Sequence, residues 1–340
     1  MAAEGVELLA ELDRLAVMGF VEVVARLPYF WRLERRVLEV MDREGVDLVI
    51  PVDYPGFNLR ITEKAHRKGV PVLYYIAPQV WAWKEGRTAR LARAADRIAV
   101  ILPFEEELFR EAGGRAVFVG HPLLDRPDRV QDREAFCRRW DLDPDRPILA
   151  LLPGSRSQEV DRHLEPFLGA WDRLRKDRPD LQVAVARASS VTLPPGVPDR
   201  AAVVEDSRAL LRHARAGIVK SGTGTLEAAL EGLPFAVAYR SHPLTFFLAR
   251  RLVKVDHVAL ANLVAGARVV PELLQDEVAP EPLARALAPL LDDSPMRTRV
   301  MEGLSRVRAA LGTPGAADRV AELAGRILEE RGLSDREGGP

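Results

Sequence analysis

Two short stretches in the second half of the chain carry the residue types that bind phosphate groups. The first is Leu151-Leu152-Pro153-Gly154-Ser155-Arg156-Ser157-Gln158-Glu159-Val160. A buried strand runs into a Gly-Ser turn and then a helix, gathering backbone N–H groups, the Ser155 hydroxyl and the Arg156 guanidinium around one point, as an anion site requires. An ordinary strand-to-helix turn with an exposed arginine fits the pattern equally well, because one Gly-rich turn is weak evidence. The second stretch is Lys220-Ser221-Gly222-Thr223-Gly224-Thr225-Leu226-Glu227. Strand again meets helix, with two glycines that let the backbone approach a ligand closely. N–H groups at such a helix start suit a diphosphate. Glu227 sits about one turn inside, where it could accept ribose hydroxyls or simply favour the helix dipole. Two anion cradles in one α/β domain together point to a nucleotide-diphosphate binder.

The first half offers a carboxylate. The run Val46–Val52 delivers Asp53 at its carboxyl end, followed by Tyr54-Pro55-Gly56-Phe57-Asn58. Ligands of open parallel sheets collect at such ends, so Asp53 is a candidate general base for a sugar hydroxyl. The plainer reading is that Asp53 caps a helix starting near Asn58 or just ends a strand. Trp81 and Trp83, beside Pro78, could line a sugar or lipid site or anchor the core. Arg87, Arg90, Arg93 and Arg97 form a stripe at helical spacing, either a solvated face or a contact for phosphorylated lipid and anionic membrane. Met18, Phe20, Phe30 and Trp31 lie in an apolar, aromatic region that reads as an acyl or membrane patch or as a core helix. Phe246, Phe247 and Leu248, with Arg250, Arg251 and Lys254, pose the same choice.

These residues need a scaffold of short apolar runs alternating with helical stretches. The expected strands are Val46–Val52, Pro71–Ile76, Arg97–Ile101, Ala116–Val119, Ile148–Leu152, Leu181–Ala186, Ala202–Val204, Gly217–Lys220 and Pro234–Tyr239, with helices such as Leu59–Lys68, Phe104–Ala112, Arg162–Asp177, Thr225–Glu231 and Leu244–Lys254 between them. Several strands are apolar throughout, the mark of parallel strands buried on both faces, and the alternation predicts doubly wound α/β sheets. A length of 340 residues suits two such domains. Pro122, Pro127 and nearby charges break the periodicity at His121–Arg129, the approach to a linker. We expect a first domain over residues 1–140, rejoined by a terminal helix over 313–340, and a second over 141–312. Two sheets plus a returning helix suggest the GT-B arrangement, with the two domains facing a cleft.

Composition excludes several classes. Apolar residues make up 47% and charged residues 29%, a globular balance rather than a disordered one. The net charge of −1 gives no basic field for nucleic acid. The lone Cys137 rules out an intrachain disulfide and a Cys-ligated zinc. No apolar run is long enough to span a bilayer, and the acidic start has no secretory leader, so the expected compartment is the cytoplasm.

The motifs together resemble one family. Leu15-Ala16-Val17-Met18-Gly19, Asp53-Tyr54-Pro55-Gly56-Phe57-Asn58, Pro78-Gln79-Val80-Trp81-Ala82-Trp83, Leu102-Pro103-Phe104-Glu105, Phe118-Val119-Gly120-His121-Pro122, Leu152-Pro153-Gly154-Ser155-Arg156, Ser221-Gly222-Thr223-Gly224-Thr225-Leu226-Glu227, Leu260-Ala261-Asn262-Leu263 and Pro271-Glu272-Leu273-Leu274-Gln275 occur in the order found in lipid-A-disaccharide synthases. The resemblance implies a GT-B inverting hexosyltransferase of lipid A biosynthesis. UDP-2,3-diacylglucosamine and 2,3-diacylglucosamine 1-phosphate (lipid X) would give the β-1,6 disaccharide 1-phosphate and UDP, without metal or other cofactor. It implies Asp53 as base and Arg156 as a functionally important arginine. Gly154, Ser155, Ser221, Gly222, Thr223, Glu227, Asn262, Glu272 and Gln275 fall on the donor side. The implied partners are the two lipid substrates and the inner-membrane surface at its cytoplasmic face, not nucleic acid, with a homodimer left open. Two departures stand out. Gly56 replaces a second aspartate common in the family. The family's opening strand and Gly-Glu-x-Ser-Gly-Asp loop are missing, so the first domain is expected to lack its opening strands. The expectation is that Met1 is an internal methionine of a chain longer by roughly 40 residues, about one strand-helix-strand unit.

Overall fold

Apolar runs without alternation become strands covered on both faces, and the chain builds two parallel sheets from them. The computed structural model describes residues 5–10, 20–78, 85–128, 131–241 and 257–332. Its elements in chain order are α1 (Phe20–Glu44), α2 (Pro55–Arg67), β1 (Leu73–Tyr75), α3 (Glu85–Ala94), β2 (Arg97–Val100), α4 (Pro103–Glu111), β3 (Ala116–Phe118), α5 (Arg133–Arg139), β4 (Ile148–Leu152), α6 (Ser157–Asp177), β5 (Gln182–Ala186), β6 (Ala202–Val204), α7 (Ser207–His213), β7 (Ala216–Lys220), α8 (Thr223–Leu230), β8 (Phe235–Tyr239), α9 (Leu260–Ala265), β9 (Glu272–Leu274), α10 (Pro280–Leu291), α11 (Pro295–Ala310) and α12 (Ala316–Glu330). The motifs at Pro78-Gln79-Val80-Trp81-Ala82-Trp83 and the Leu244–Lys254 stretch lie wholly or largely outside the described residues.

The chain divides into Met1–Gly120 with Gly315–Pro340, and His121–Pro314. In the first unit β1, β2 and β3 run parallel in that order. Leu59, Ile61, Tyr74, Leu91, Ile98 and Phe109 form the core of one face. On the other, Leu73, Ala99 and Val119 meet Val320, Leu323 and Ile327 of α12, whose spacing gives that helix a single apolar stripe. Arg97 and Asp96 hold its far end through Glu330 at 2.6 Å and Arg331 at 2.9 Å.

The expected strand Val46–Val52 is not a regular one. It lies beside β1 in parallel but makes only isolated bridges, Val49↔Val72 and Val52↔Tyr75. Tyr75 N–H donates to Pro51 O at 2.8 Å, while Pro51 itself has no N–H to return to the ladder. The ladder is interrupted there.

The second unit holds six parallel strands in the order β6-β5-β4-β7-β8-β9. Counted from its first strand this is 3-2-1-4-5-6, the dinucleotide-binding order. Strand β9 was not among the expected strands, because Pro271 and Glu272 interrupt its apolar run. The division between units falls at Gly120–His121 and Pro314–Gly315, not at 140 and 312. The reason is α5: Arg133 donates to Pro144 O at 2.6 Å, Arg146 O at 2.8 Å and His213 O at 2.5 Å, and Phe136 lies against the His213 ring.

The second unit opens at a histidine held neutral. His121 N–H donates to Leu311 O at 3.0 Å, and its Nδ1 accepts Leu123 N–H at 3.2 Å. Burial, helped by Arg126, lowers its pKa to about 4. In the unfolded chain the same ring titrates near 6.5, so below that pH the unfolded state binds a proton that the folded state refuses. Stability is full above about pH 6.5 and declines as pH falls toward 4, by about 2 kcal/mol between pH 7 and pH 5. His121→Asn keeps an acceptor for Leu123 and removes the titration. Urea unfolding at the two pH values is expected to show a smaller drop for the variant than for the unsubstituted chain.

Candidate active site

The two phosphate-type turns end at one place. Strands β4 and β7 are neighbours, and between them the strand order reverses, so their outgoing helices cross to opposite faces and leave a crevice at the carboxyl ends. The turn after β4 and the turn after β7 wall a cavity of about 670 Å³ there, and Gly154, Ser155, Arg156, Ser221, Gly222, Thr223 and Glu227 all line it. Gly222 caps α8 at φ 147° and ψ −160°, without a side chain to cover the first N–H groups. That region of backbone space is open essentially to glycine alone. A larger groove, about 850 Å³, passes Trp140, Trp171 and Pro194. It follows the sheet's edge near the amino ends of β5 and β6, with no Gly-rich helix start, so position favours the smaller cavity.

Not every expected donor-side residue faces this cavity. Asn262 is fully buried, and its side chain is used up internally. Nδ2 donates to Val270 O and Glu272 Oε1 at 3.0 and 2.8 Å, and Oδ1 accepts Val269 and Val270 N–H, both at 2.9 Å. Glu272 also takes the N–H groups of Val258 and Ala259. This carboxamide–carboxylate knot ties the start of α9 to β9. Gln275 accepts Ser241 N–H at 3.0 Å beyond the end of β8. Ser221, although at the cavity, spends its hydroxyl on Val258 O at 2.8 Å. Glu227 is paired with Arg126 at 2.7 Å. Asn262, Glu272 and Gln275 are not among the residues that line the cavity.

Lys220, Glu159 and His163 were missed by sequence reasoning. Lys220 closes an otherwise apolar strand, the one available signal. Its Nζ lies 2.8 Å from Glu159 Oε1, and the pair is shielded, at 18% and 14% side-chain exposure. Glu159 also accepts Ser155 N–H at 3.1 Å through Oε2 and Arg156 Nη1 at 3.1 Å through Oε1. Burial alone pushes its pKa up, but Lys220, the Ser155 N–H and Arg156 outweigh that and hold it below the usual glutamate value. His163 bridges Glu159 O at 2.7 Å to Arg240 N–H at 3.0 Å. Accepting from Arg240 at Nε2 leaves its proton on Nδ1.

In the first unit Asp53 stands on a strained turn. Asp53 and Tyr54 have φ of 46° and 47°, a left-handed pair costing about 1–2 kcal/mol per residue. Asn58 Nδ2 donates to Val52 O at 2.9 Å and Asp53 O at 2.7 Å, Tyr74 OH donates to Asp53 O at 2.9 Å, and Asp53 N–H donates to Tyr75 O at 3.0 Å. Helix α2 starts at Pro55, with Tyr54 as its cap and no side-chain capping bond, so Asp53 is not there to cap a helix. Its carboxylate is accessible, yet surrounding protein desolvates it and raises its pKa above the ordinary 3.8, more than the Tyr54 N–H lowers it.

Of the proposed acyl patch, Met18 and the Phe20 side chain lie outside the described residues. Phe30 is a core residue instead, 8% exposed and packed on Tyr54 and Phe57 at ring distances of 6.1 Å. Trp31, at 60%, is exposed. In the arginine stripe, Arg90 is claimed by Glu63 at 2.7 and 3.0 Å. Among the described residues no helix is long and apolar enough to cross a membrane.

Comparison with known proteins places these features. The family model for lipid-A-disaccharide synthetase matches residues 1–316. A lipid-A-disaccharide synthase of Acidobacterium capsulatum is 40% identical, over 99% of this chain and 89% of that relative. One of Myxococcus xanthus is also 40% identical, over 96% and 88%. Among solved structures, the UDP-GlcNAc 2-epimerase of Neisseria meningitidis bound to UDP-GlcNAc superposes with a TM-score of 0.62 at 10% identity, over 87% of this chain and 81% of that one. The glycotransferase of kitacinnamycin gives 0.58 at 18%, over 92% and 85%. At such identities they bear on the fold, which is GT-B.

Gly222 is the position where the cavity depends on backbone alone. A Cβ there would meet only Lys220 Nζ, at 3.7 Å, so Gly222→Ala is opposed by conformation and not by crowding. It is expected to cost about 1–3 kcal/mol of stability and to weaken UDP binding, read by denaturant unfolding and calorimetry. Full stability with unchanged UDP affinity would contradict this account of the turn.

Proposed function

The chain belongs to the lipid-A-disaccharide synthase family, hexosyltransferases of lipid A biosynthesis that act on UDP-sugars, and from that premise we propose how its residues divide the reaction. The second unit holds the donor, with the diphosphate between the Ser155 turn and the start of α8. The first unit holds the acceptor, with Asp53 drawing the proton from the attacking hydroxyl. The donor is UDP-2,3-diacylglucosamine and the acceptor 2,3-diacylglucosamine 1-phosphate. The convergence of two independent glycine turns on one cavity at the β4/β7 switch point carries this reading.

Inversion in one displacement places the attacking oxygen and the departing UDP on opposite faces of the anomeric carbon. A carboxylate of raised pKa is a better proton acceptor than an ordinary aspartate. The strained turn keeps that carboxylate out of the helix cap, where N–H donors and the helix dipole would lower its pKa and make it a weaker base. In the second unit, Arg156, the backbone N–H groups and Lys220 meet the charge that builds on the leaving diphosphate. Charge on the diphosphate is met by protein groups, with no metal. The exposed Trp31 supports peripheral contact with the cytoplasmic face of the inner membrane.

A UDP-release assay separates this function from other UDP-sugar chemistry. Diacylated glucosamine substrates are expected to turn over, and unacylated ones to be poor. Asp53→Asn is expected to lower turnover by about 10²–10⁴-fold, while thermal stability holds or rises, since Asn tolerates the left-handed backbone and carries no desolvated charge. The base works deprotonated, so kcat/KM falls as pH drops through its raised pKa, with an acid midpoint above the ordinary aspartate value. Turnover unchanged in Asp53→Asn would remove Asp53 from the chemistry.

A further inference from the structure

The anion cradle already contains an anion, and it belongs to the protein. Three groups that would meet a phosphate oxygen, namely the Ser155 N–H, the Arg156 guanidinium and the Lys220 ammonium, all converge on the carboxylate of Glu159. The backbone is shaped to admit it. A Cβ at Gly154 would lie 2.5 Å from Glu159 Cβ and 2.6 Å from its Oε2. The glycine of this turn therefore makes room for the carboxylate as much as for any ligand.

Charge makes the arrangement consequential. Among the described residues the cavity is lined by three cations, Arg156, Arg187 and Lys220, and three carboxylates, Glu159, Glu205 and Glu227. Arg187 is taken by Glu205 and Glu227 by Arg126. That leaves Glu159 as the partner of both cations nearest the two glycine turns. A diphosphate entering a lining of zero net charge gains little until those cations turn toward it. While they serve it, Glu159 stays beside it as a like charge in a shielded site, where such repulsion is weakly screened.

We infer that Glu159 is a built-in competitor of the nucleotide diphosphate, exchanging Lys220 and Arg156 with it on binding and taking them back as UDP leaves. This rests on the donor site proposed above, Lys220 included, and adds Glu159 to it. Lys220 is a diphosphate-binding cation, and Glu159 is a positioning group that weakens product binding. The inference predicts opposite signs for the two side chains, which a purely structural role for Glu159 does not.

The test is calorimetric titration of the whole chain with UDP and with uridine. Glu159→Gln, isosteric and still able to accept the Ser155 N–H, is expected to bind UDP about three- to tenfold more tightly, with uridine affinity unchanged. Lys220→Met is expected to weaken UDP binding by about tenfold, with Lys220→Arg restoring most of it. In the Glu159→Gln/Lys220→Met double variant the gain from Glu159→Gln is expected to shrink, because the carboxylate acts through that cation. In turnover, Glu159→Gln is expected to show stronger product inhibition by UDP. A Glu159→Gln variant that binds UDP no better or more weakly overturns the inference and leaves the donor site standing. Failure of the unsubstituted chain to bind UDP overturns both.

Discussion

In an open parallel sheet ligands collect at the carboxyl ends of the strands where neighbouring crossovers part company, and among the described residues the second unit has one such point. Strands β4 and β7 pair along Leu149–Leu152 and Ala216–Val219, and the connections leave them in opposite directions. Everything chemical in that unit follows from this reversal. It brings together two turns that are more than sixty residues apart in sequence, and it aims the start of α8 at the same space as the Ser155 turn. The Asn262–Glu272 knot and the Gln275–Ser241 bond tie neighbouring segments together, and none of these four residues lines the cavity.

The first unit works on a different principle. Its key carboxylate is held by strain balanced against hydrogen bonds, not by a preformed crevice. Two successive left-handed residues would relax in an isolated peptide. Asn58 and Tyr74 prevent this by binding the carbonyls of Val52 and Asp53. The result is an accessible yet poorly solvated carboxylate. The second unit does the opposite with Glu159, surrounding a carboxylate with donors until it is held ionised. Two acids in one chain are thus tuned in opposite directions by their surroundings.

How much of this could be read in advance depended on the range of the interactions. Strands buried on both faces announce themselves as apolar runs, so eight of the nine strands among the described residues were visible. The exception, β9, is three residues long with a glutamate inside it. The segment at Val46–Val52 looked like a strand because its composition is strand-like, and only its pairing partners reveal what Pro51 costs the ladder. The glycine turns were legible for local reasons, since a strand, a glycine and a helix start are contiguous. Asn262 and Glu272 could be picked out as family residues but not assigned a place, because their meaning lies in each other across the fold. The Lys220–Glu159 pair was hidden for the same reason, its partners sitting at the end of β7 and in the first turn of α6, which only the sheet order brings together. Phe30 takes the core alternative of the two that its greasy stretch left open.

We propose that the crevice between β4 and β7 holds the diphosphate of a UDP-sugar. A crystal structure with UDP bound tests it most directly. The account predicts diphosphate oxygens within hydrogen-bond distance of the backbone at Gly222–Thr223 and of Arg156 and Lys220, with Glu159 turned away from at least one cation. UDP bound elsewhere, such as the groove along Trp140 and Trp171, with Glu159 still on both cations, would contradict it.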